Sequence, residues 1–304
     1  MEELFGALPG AASLGLIWGI MAIGVYITYK ILAISDLSVD GSICTGAAVC
    51  TMLITGGVNP WVAMICAMIA GGLCGAVTGF LHTVLNIPAI LSGILTQLAL
   101  WSVNLKIMGQ ANRPLSARNY DVILTQMDTT EAIIMLILIA MAIIGILYWF
   151  FGTSLGCSIR ATGCNINMSR AQGINTELNK VLGLVISNAL VALAGALLAQ
   201  YQGFADINMG RGAIVIGLAA IVIGEVFFSK IARNFAVRLC GVLAGGIIYY
   251  LVYQVIVFLG IDTDLLKMLS AVVVALFLGV PNLKDKLMAK IHTKKNAKEV
   301  SENA

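Results

Sequence analysis

The chain has 304 residues, 60% hydrophobic and 11% charged, with a formal net charge of +3 and a mean hydropathy of +0.97. A soluble domain carries about 25% charged residues, so this composition excludes a globule with a full polar skin. Lipid must solvate much of the exterior.

A membrane-crossing helix needs about 20 mostly apolar residues. Candidate segments lie at 10–33, 41–57, 60–80, 86–105, 131–151, 179–201, 212–228, 236–259 and 265–281. The expected fold class is all-α: a polytopic transmembrane helical bundle of eight or nine membrane segments. Residues 1–283 form its membrane domain, and 284–304 a basic cytoplasmic tail. Met1-Glu2-Glu3 is acidic where a secretory leader would be basic, so the first apolar run is expected to be a retained span. Pro9, Pro60, Pro88, Pro114 and Pro281 stand near segment boundaries and act as punctuation.

Two stretches interrupt the pattern. Residues 34–46, ISDLSVDGSICTG, place Asp36, Asp40 and two glycines between apolar runs, and the segment 41–57 that follows is short. It reads as a broken or re-entrant helix, a form tolerated only where protein covers it. Residues 202–212, QGFADINMGRG, are similar. Gly-bearing polar breaks of this kind line pathways in transporters.

Basic residues set the orientation. With all nine segments crossing, the N-terminus is outside. Lys30, Arg160, Arg170, Lys180, Lys230, Arg233, Arg238 and the six tail lysines from Lys284 to Lys298 then lie inside. The outside holds only Lys106, Arg113, Arg118, Arg211 and Lys267. The lysine-rich tail therefore reads as positive-inside bias, with no nucleic-acid partner.

Chemistry-bearing motifs are sparse. The seven cysteines form no CxxC pair and read as small apolar residues. His82 and His292 are isolated, so no metal site and no catalytic residue is expected. No GxxxxGK[ST] run occurs, so the energy source is a separate subunit, or the protein is a different kind of transporter.

The long inside loop, 152–180, reads GTSLGCSIRATGCNINMSRAQGINTELNK. Within it the spacing predicts a short amphipathic helix over Asn165–Gln172, with Asn165 or Asn167 as N-cap and Gly173 as C-cap. Gly156, Arg160-Ala161, Gly163, Asn165, Ala171 and Gly173-Ile174 resemble the coupling loop of the ABC importer permease family that includes the branched-chain amino-acid and ribose permeases. Asp36-Leu37-Ser38-Val39-Asp40-Gly41 after the first span, the small-residue run Ser187–Ala196, and Gly210, Gly212 and Ile216–Gly224 resemble the same family in the same order. Gly224-Glu225-Val226-Phe227 departs from the amino-acid and sugar branches, where a second glycine is usual. The chain is similar to the single-permease branch associated with aromatic amino acids.

The resemblance implies a bacterial inner-membrane importer for a small polar nutrient, an amino acid first, with sugars and nucleosides as alternatives. It implies two permease copies as a homodimer, a cytoplasmic ATPase subunit and an extracytoplasmic substrate-binding protein. Arg160, Gly163, Asn165, Arg170, Ala171 and Gly173 would couple to the ATPase. Polar groups within spans face protein or water, which makes Gln97, Asn104, Asn188 and Gln254 candidate pathway residues, with an interhelical hydrogen bond the alternative for each. Arg113, Arg118, Asp121, Asp206 and Arg211 could dock the binding protein. Asp36 and Asp40 read as caps near the inner face, and Glu225 as a near-surface charge paired with Lys230 or Arg233. An ion-driven secondary transporter is the competing class. It would place strong acids mid-membrane, where these spans show none.

Overall fold

The computed structural model describes residues 2–228 and 234–259, together with Met268, Val272 and Ala275. The tail 284–304 lies outside the described residues, as does the run 265–281 apart from those three positions.

The helices in chain order are α1 (Glu2–Tyr26), α2 (Val39–Thr55), α3 (Pro60–Thr83), α4 (Ala89–Met108), α5 (Thr129–Gly152), α6 (Ser154–Cys164), α7 (Ile166–Ala171), α8 (Thr176–Gln202), α9 (Ala213–Phe228) and α10 (Phe235–Phe258). A π-helical turn, Ile27–Ile31, extends α1. Two short strands, β1 (Asn112–Pro114) and β2 (Phe204–Asp206), pair antiparallel with Arg113 opposite Ala205. Among the described residues, six helices are long and apolar enough to cross a membrane: α1, α3, α4, α5, α8 and α10. The helices α2 and α9, of 17 and 16 residues, are shorter.

The chain turns give the bundle two ends. The β1–β2 pair follows α4 and α8 at one end, and α6 and α7 join α5 to α8 at the other. Helix α1 starts at the β end, where the Tyr201 hydroxyl lies 3.5 Å from the Gly10 carbonyl. It finishes at the α6 end, where Gly163 meets the backbone of Ile31. The arrangement agrees with the sequence expectation that the N-terminus and the loop 106–130 share a side opposite the loop 152–180.

Small residues hold this bundle together, because apolar surface gains nothing by moving from lipid to protein. A Cβ on Gly71 would overlap Ala192 and the Asn188 carbonyl, and one on Gly75 would overlap the Leu184 carbonyl. These contacts seat α3 on α8. Gly46 on α2 meets the Ala192 backbone, and Gly195 on α8 meets that of Ile43. A second group packs the same way: Gly245 of α10 meets Ala220 of α9, and Gly15 and Gly246 bring α1 onto α10. Glycines at fourfold spacing, 71, 75, 79 and 241, 245, thus mark close approaches between helices. Helix α8 is buried from Leu190 to Tyr201 without a break, and α1 with its π-turn from Gly15 to Thr28. Outward faces of α3, α4 and α5 expose large apolar side chains such as Leu73, Leu98 and Ile146.

The sequence treated 152–164 as loop, and the structure makes most of it helix α6. Thr153 supplies the cap, accepting from the Gly156 amide at 3.3 Å. A polar helix of 11 residues has no apolar run to announce it.

Candidate functional site

Both short helices begin inside the bundle. Helix α2 starts beside Asn188, the middle of the span α8, and runs to the β end, where the Gln200 side chain meets Cys50. Helix α9 starts beside the first turn of α2 and runs the other way. Its last turn reaches Lys30 through Glu225, at 2.8 Å. Two half-helices therefore meet with their N-termini at mid-depth, the arrangement expected of broken helices at a transport site.

A helix N-terminus carries unpaired amides and about half a positive charge. Each of these two faces a carboxylate. Asp40 accepts from the amides of Gly212 and Ile214, both at 3.0 Å, and so caps α9 from α2. Asp36 accepts from the Ser38 amide at 2.8 Å and its hydroxyl at 2.6 Å, just before α2 begins. The other Asp36 oxygen accepts from the Asn188 side-chain amide at 2.8 Å. The Asn188 oxygen accepts from Ser42 at 2.6 Å and Ser38 at 3.2 Å. A charge at this depth is costly unless it is paired with donors, and these charge-assisted bonds offset that cost.

This corrects the sequence expectation for both acids. They cap helices as expected, but in the interior: Asp36 is 2% exposed. The π-turn and Ala33, at φ +54°, reverse the chain after α1, and residues 34–38 climb back to the level of Asn188. Length alone placed them at the surface. Glu225 pairs with Lys30; Lys230 and Arg233, its expected partners, lie outside the described residues.

Above this junction, toward the β end, lies a cavity of about 620 Å³. Trp18 of α1 and Tyr249, Tyr250 and Tyr253 of α10 form one wall, and Gly212, Val215 and Ile216 of α9 lie at its base. Trp18 and Tyr250 stack, with centroids 6.0 Å apart and planes at 25°. Tyr249 and Tyr253 meet Tyr250 at 5.5 and 5.9 Å. Asp206 and Arg211 are the charged residues of the lining. Asp206 accepts from the Asn208 amide at 2.7 Å, which holds its carboxylate at the end of β2. An apolar pocket with a few convergent polar groups is the usual form of a small-molecule site.

The structure distributes the predicted pathway residues unevenly. Asn188 is at the junction. Asn104 is buried and donates to the Gly41 carbonyl at 3.3 Å, beside α2. Gln97 approaches the same glycine from α4. Gln254 is on α10 beside the tyrosines but does not line the cavity. Of the predicted docking residues, Asp206 and Arg211 line the cavity, Arg113 is on β1, and Arg118 and Asp121 are exposed in the loop beyond it.

At the opposite end, α7 stands out from the bundle. Asn165 caps it, accepting from the Met168 amide at 3.0 Å, and Gly173 at φ +77° ends it, as the sequence predicts. Ile166, Met168, Arg170 and Ala171 are exposed. Arg170 bonds Thr176 at 3.1 Å and pairs with Glu177 at 3.8 Å. Gly163 has a different role, allowing α6 to press on the Ile31 carbonyl. Arg160 turns away from α7, donating to the Phe151 carbonyl between the rings of Phe151 and Phe235.

Residues 8–280 match the protein family described as branched-chain amino acid transport system / permease component. The chain belongs to this permease family. The match confirms the family resemblance read from the motifs and makes this permease a multi-pass membrane protein. It is 39% identical over 287 residues to a tyrosine transport system permease protein of Clostridioides difficile, covering 92% of this chain and 95% of that one. An uncharacterised protein of Rickettsia prowazekii is 37% identical over 87% of this permease and 93% of its own length. A more distant relative, an autoinducer 2 import system permease of Yersinia pestis, is 29% identical over 63% of this chain and 54% of that one. No solved structure matches.

Sequence reasoning missed Trp18, Ser38 and Ser42. The alternation Asp36, Ser38, Asp40, Ser42 between two apolar runs was the available signal. Four such groups at one break must satisfy each other when no water reaches them.

Proposed function

We propose that this permease is the membrane subunit of an ATP-driven importer of an aromatic amino acid. The observation that carries the reading is the cavity of Trp18, Tyr249, Tyr250 and Tyr253 with Asp206 and Arg211 in its lining. The rings suit the face of an aromatic side chain. A guanidinium and a carboxylate suit the two charges of a zwitterion. The similarity to a tyrosine permease over nearly the whole chain supports the same substrate class.

In this reading the β end faces outward, and a substrate-binding protein docks on β1–β2 and the loop containing Arg118 and Asp121. The C-terminus and α7 are cytoplasmic. A separate ATPase subunit binds ATP and Mg and receives α7 through Ile166, Met168, Arg170 and Ala171. A second copy of this chain completes the channel. Force on α7 passes through α6 to Ile31 at Gly163, then along residues 32–38 to the junction of the half-helices. The cavity lies directly above that junction, so moving α9 opens or closes its base.

The test is uptake of labelled tyrosine, phenylalanine, leucine and ribose by cells expressing this chain with its ATPase and binding protein. Uptake of the aromatic amino acids, lost with Tyr250→Ala and Arg211→Gln, is expected. Uptake of ribose or leucine without tyrosine would sink the substrate assignment.

A further inference from the structure

A second cavity, of about 480 Å³, opens at the elbow where α5 ends and α6 begins. Tyr148, Trp149, Gly152, Thr153, Arg160 and Phe235 line it. The site lies at the end of a membrane span, and its two outer rings are exposed, Trp149 by 73% and Tyr148 by 55%. Exposed Trp and Tyr at a span end mark the level of the lipid headgroups.

Among the described residues, Arg160 is the only charged one in this lining. Its guanidinium carbon lies 5.6 and 5.0 Å from the ring centroids of Phe151 and Phe235. It donates to the Phe151 carbonyl. Its Nε is enclosed and has no acceptor. The ion pairs among the described residues are Lys30–Glu225 and Arg170–Glu177, so no carboxylate there neutralises Arg160. A half-buried cation lacking an anion is costly, and ring faces supply only part of what water would. Thr153 supplies no counter-charge: its neutral hydroxyl donates to the Phe150 carbonyl at 2.6 Å and accepts from the Gly156 amide at 3.3 Å. A guanidinium has five donors in a planar fork suited to phosphate oxygens.

We propose that this elbow binds the phosphate of an anionic phospholipid in the leaflet on the α7 side, with Arg160 as its cation. The acyl chains then lie along the exposed apolar face of α5, past Ile146, Met141 and Leu138. Trp149 and Tyr148 bracket the glycerol region. The bound lipid fixes the angle between α5 and α6, and so positions the support from which α7 projects. The site rests on the structure and on membrane insertion alone, so it stands whether or not the substrate is aromatic.

The experiment uses the full-length chain purified in a neutral detergent. Dioleoyl-phosphatidylglycerol, dioleoyl-phosphatidylcholine and sodium phosphate are titrated separately, reading lipid adducts by native mass spectrometry and thermal unfolding. Phosphatidylglycerol is expected to bind and raise the unfolding temperature, with phosphatidylcholine clearly weaker. Arg160→Gln should weaken phosphatidylglycerol by about tenfold or more, the loss of one charge-assisted bond. Arg160→Lys, which keeps the charge, should weaken it less. Should Arg160→Gln fail to fold, quenching of wild-type fluorescence by brominated phosphatidylglycerol, lost in Trp149→Phe, reads the same site. Equal binding of the two lipids, or unchanged preference in Arg160→Gln, would overturn the proposal. Competition by millimolar inorganic phosphate would also overturn it, by making the anion a free one.

Discussion

Replacing Asn188 with alanine removes the side chain that ties the break before α2 to the middle of α8. Four hydrogen bonds go with it, to Asp36, Ser38, Ser42 and the Leu184 carbonyl. The bond to Asp36 dominates, because among the described residues Asn188 is the one donor to that carboxylate oxygen and Asp36 is buried. A hydrogen bond to a charged group contributes about 1.5–3 kcal/mol. The Ser42 hydroxyl loses its acceptor, at the membrane average of about 0.6 kcal/mol, while that of Ser38 keeps Asp36 at 2.6 Å. The sum predicts a destabilisation of about 2–4 kcal/mol. Reversible unfolding by SDS titration from mixed micelles, followed by circular dichroism, measures it. Because the cost arises at a buried charge, it should shrink when that charge is removed. In an Asp36→Ala background, Asn188→Ala should therefore cost about 1–3 kcal/mol less. A single-variant effect below about 0.5 kcal/mol, the range of an ordinary surface substitution, would refute the reasoning. So would strict additivity of the two substitutions.

The same logic extends to other positions. Asp40→Ala removes the cap from α9 and should cost about 0.5–2 kcal/mol in the same unfolding assay while reducing uptake more severely than stability explains. Gly75→Leu should prevent α3 from seating on α8, leaving little folded protein by size-exclusion chromatography, whereas Gly145→Ala, with open space around it, should behave as wild type. Met168→Glu on the exposed face of α7 should leave the amount of protein in the membrane unchanged but uncouple ATP hydrolysis from uptake; normal transport would remove α7 from the coupling path. In a cysteine-free background, Asn119→Cys should react with an impermeant maleimide added outside intact cells, and Gln172→Cys should react only after the cells are opened.

Much of the bundle was legible because its signals are local. The six long helices follow from apolar runs, the fourfold glycines from the need for close backbone approach, and α7 from its cap residues, Asn165 and Gly173. The junction was legible only as two suspicious breaks. Which break meets which depends on how far the chain climbs after Ala33, and no pattern within residues 34–46 encodes a depth. The capping of α9 by Asp40 joins residues 172 positions apart, beyond the reach of any spacing rule. Arg160 shows the same limit: the resemblance of its loop implied a partner below the membrane, and the structure packs it between Phe151 and Phe235 because α6 folds back against α5. The aromatic cavity needed Trp18 and Tyr250 side by side, and they come from opposite ends of the chain.

The central claim is that α7 delivers the work of a separate ATPase to this bundle. It is tested most directly by isolating the tagged chain from its native membranes in mild detergent, without overexpressed partners, and identifying what stays bound. A stoichiometric ATPase subunit is expected, lost when Met168→Glu and Arg170→Glu are introduced together. A chain that purifies alone, and that transports after reconstitution in response to an ion gradient without ATP, would contradict it.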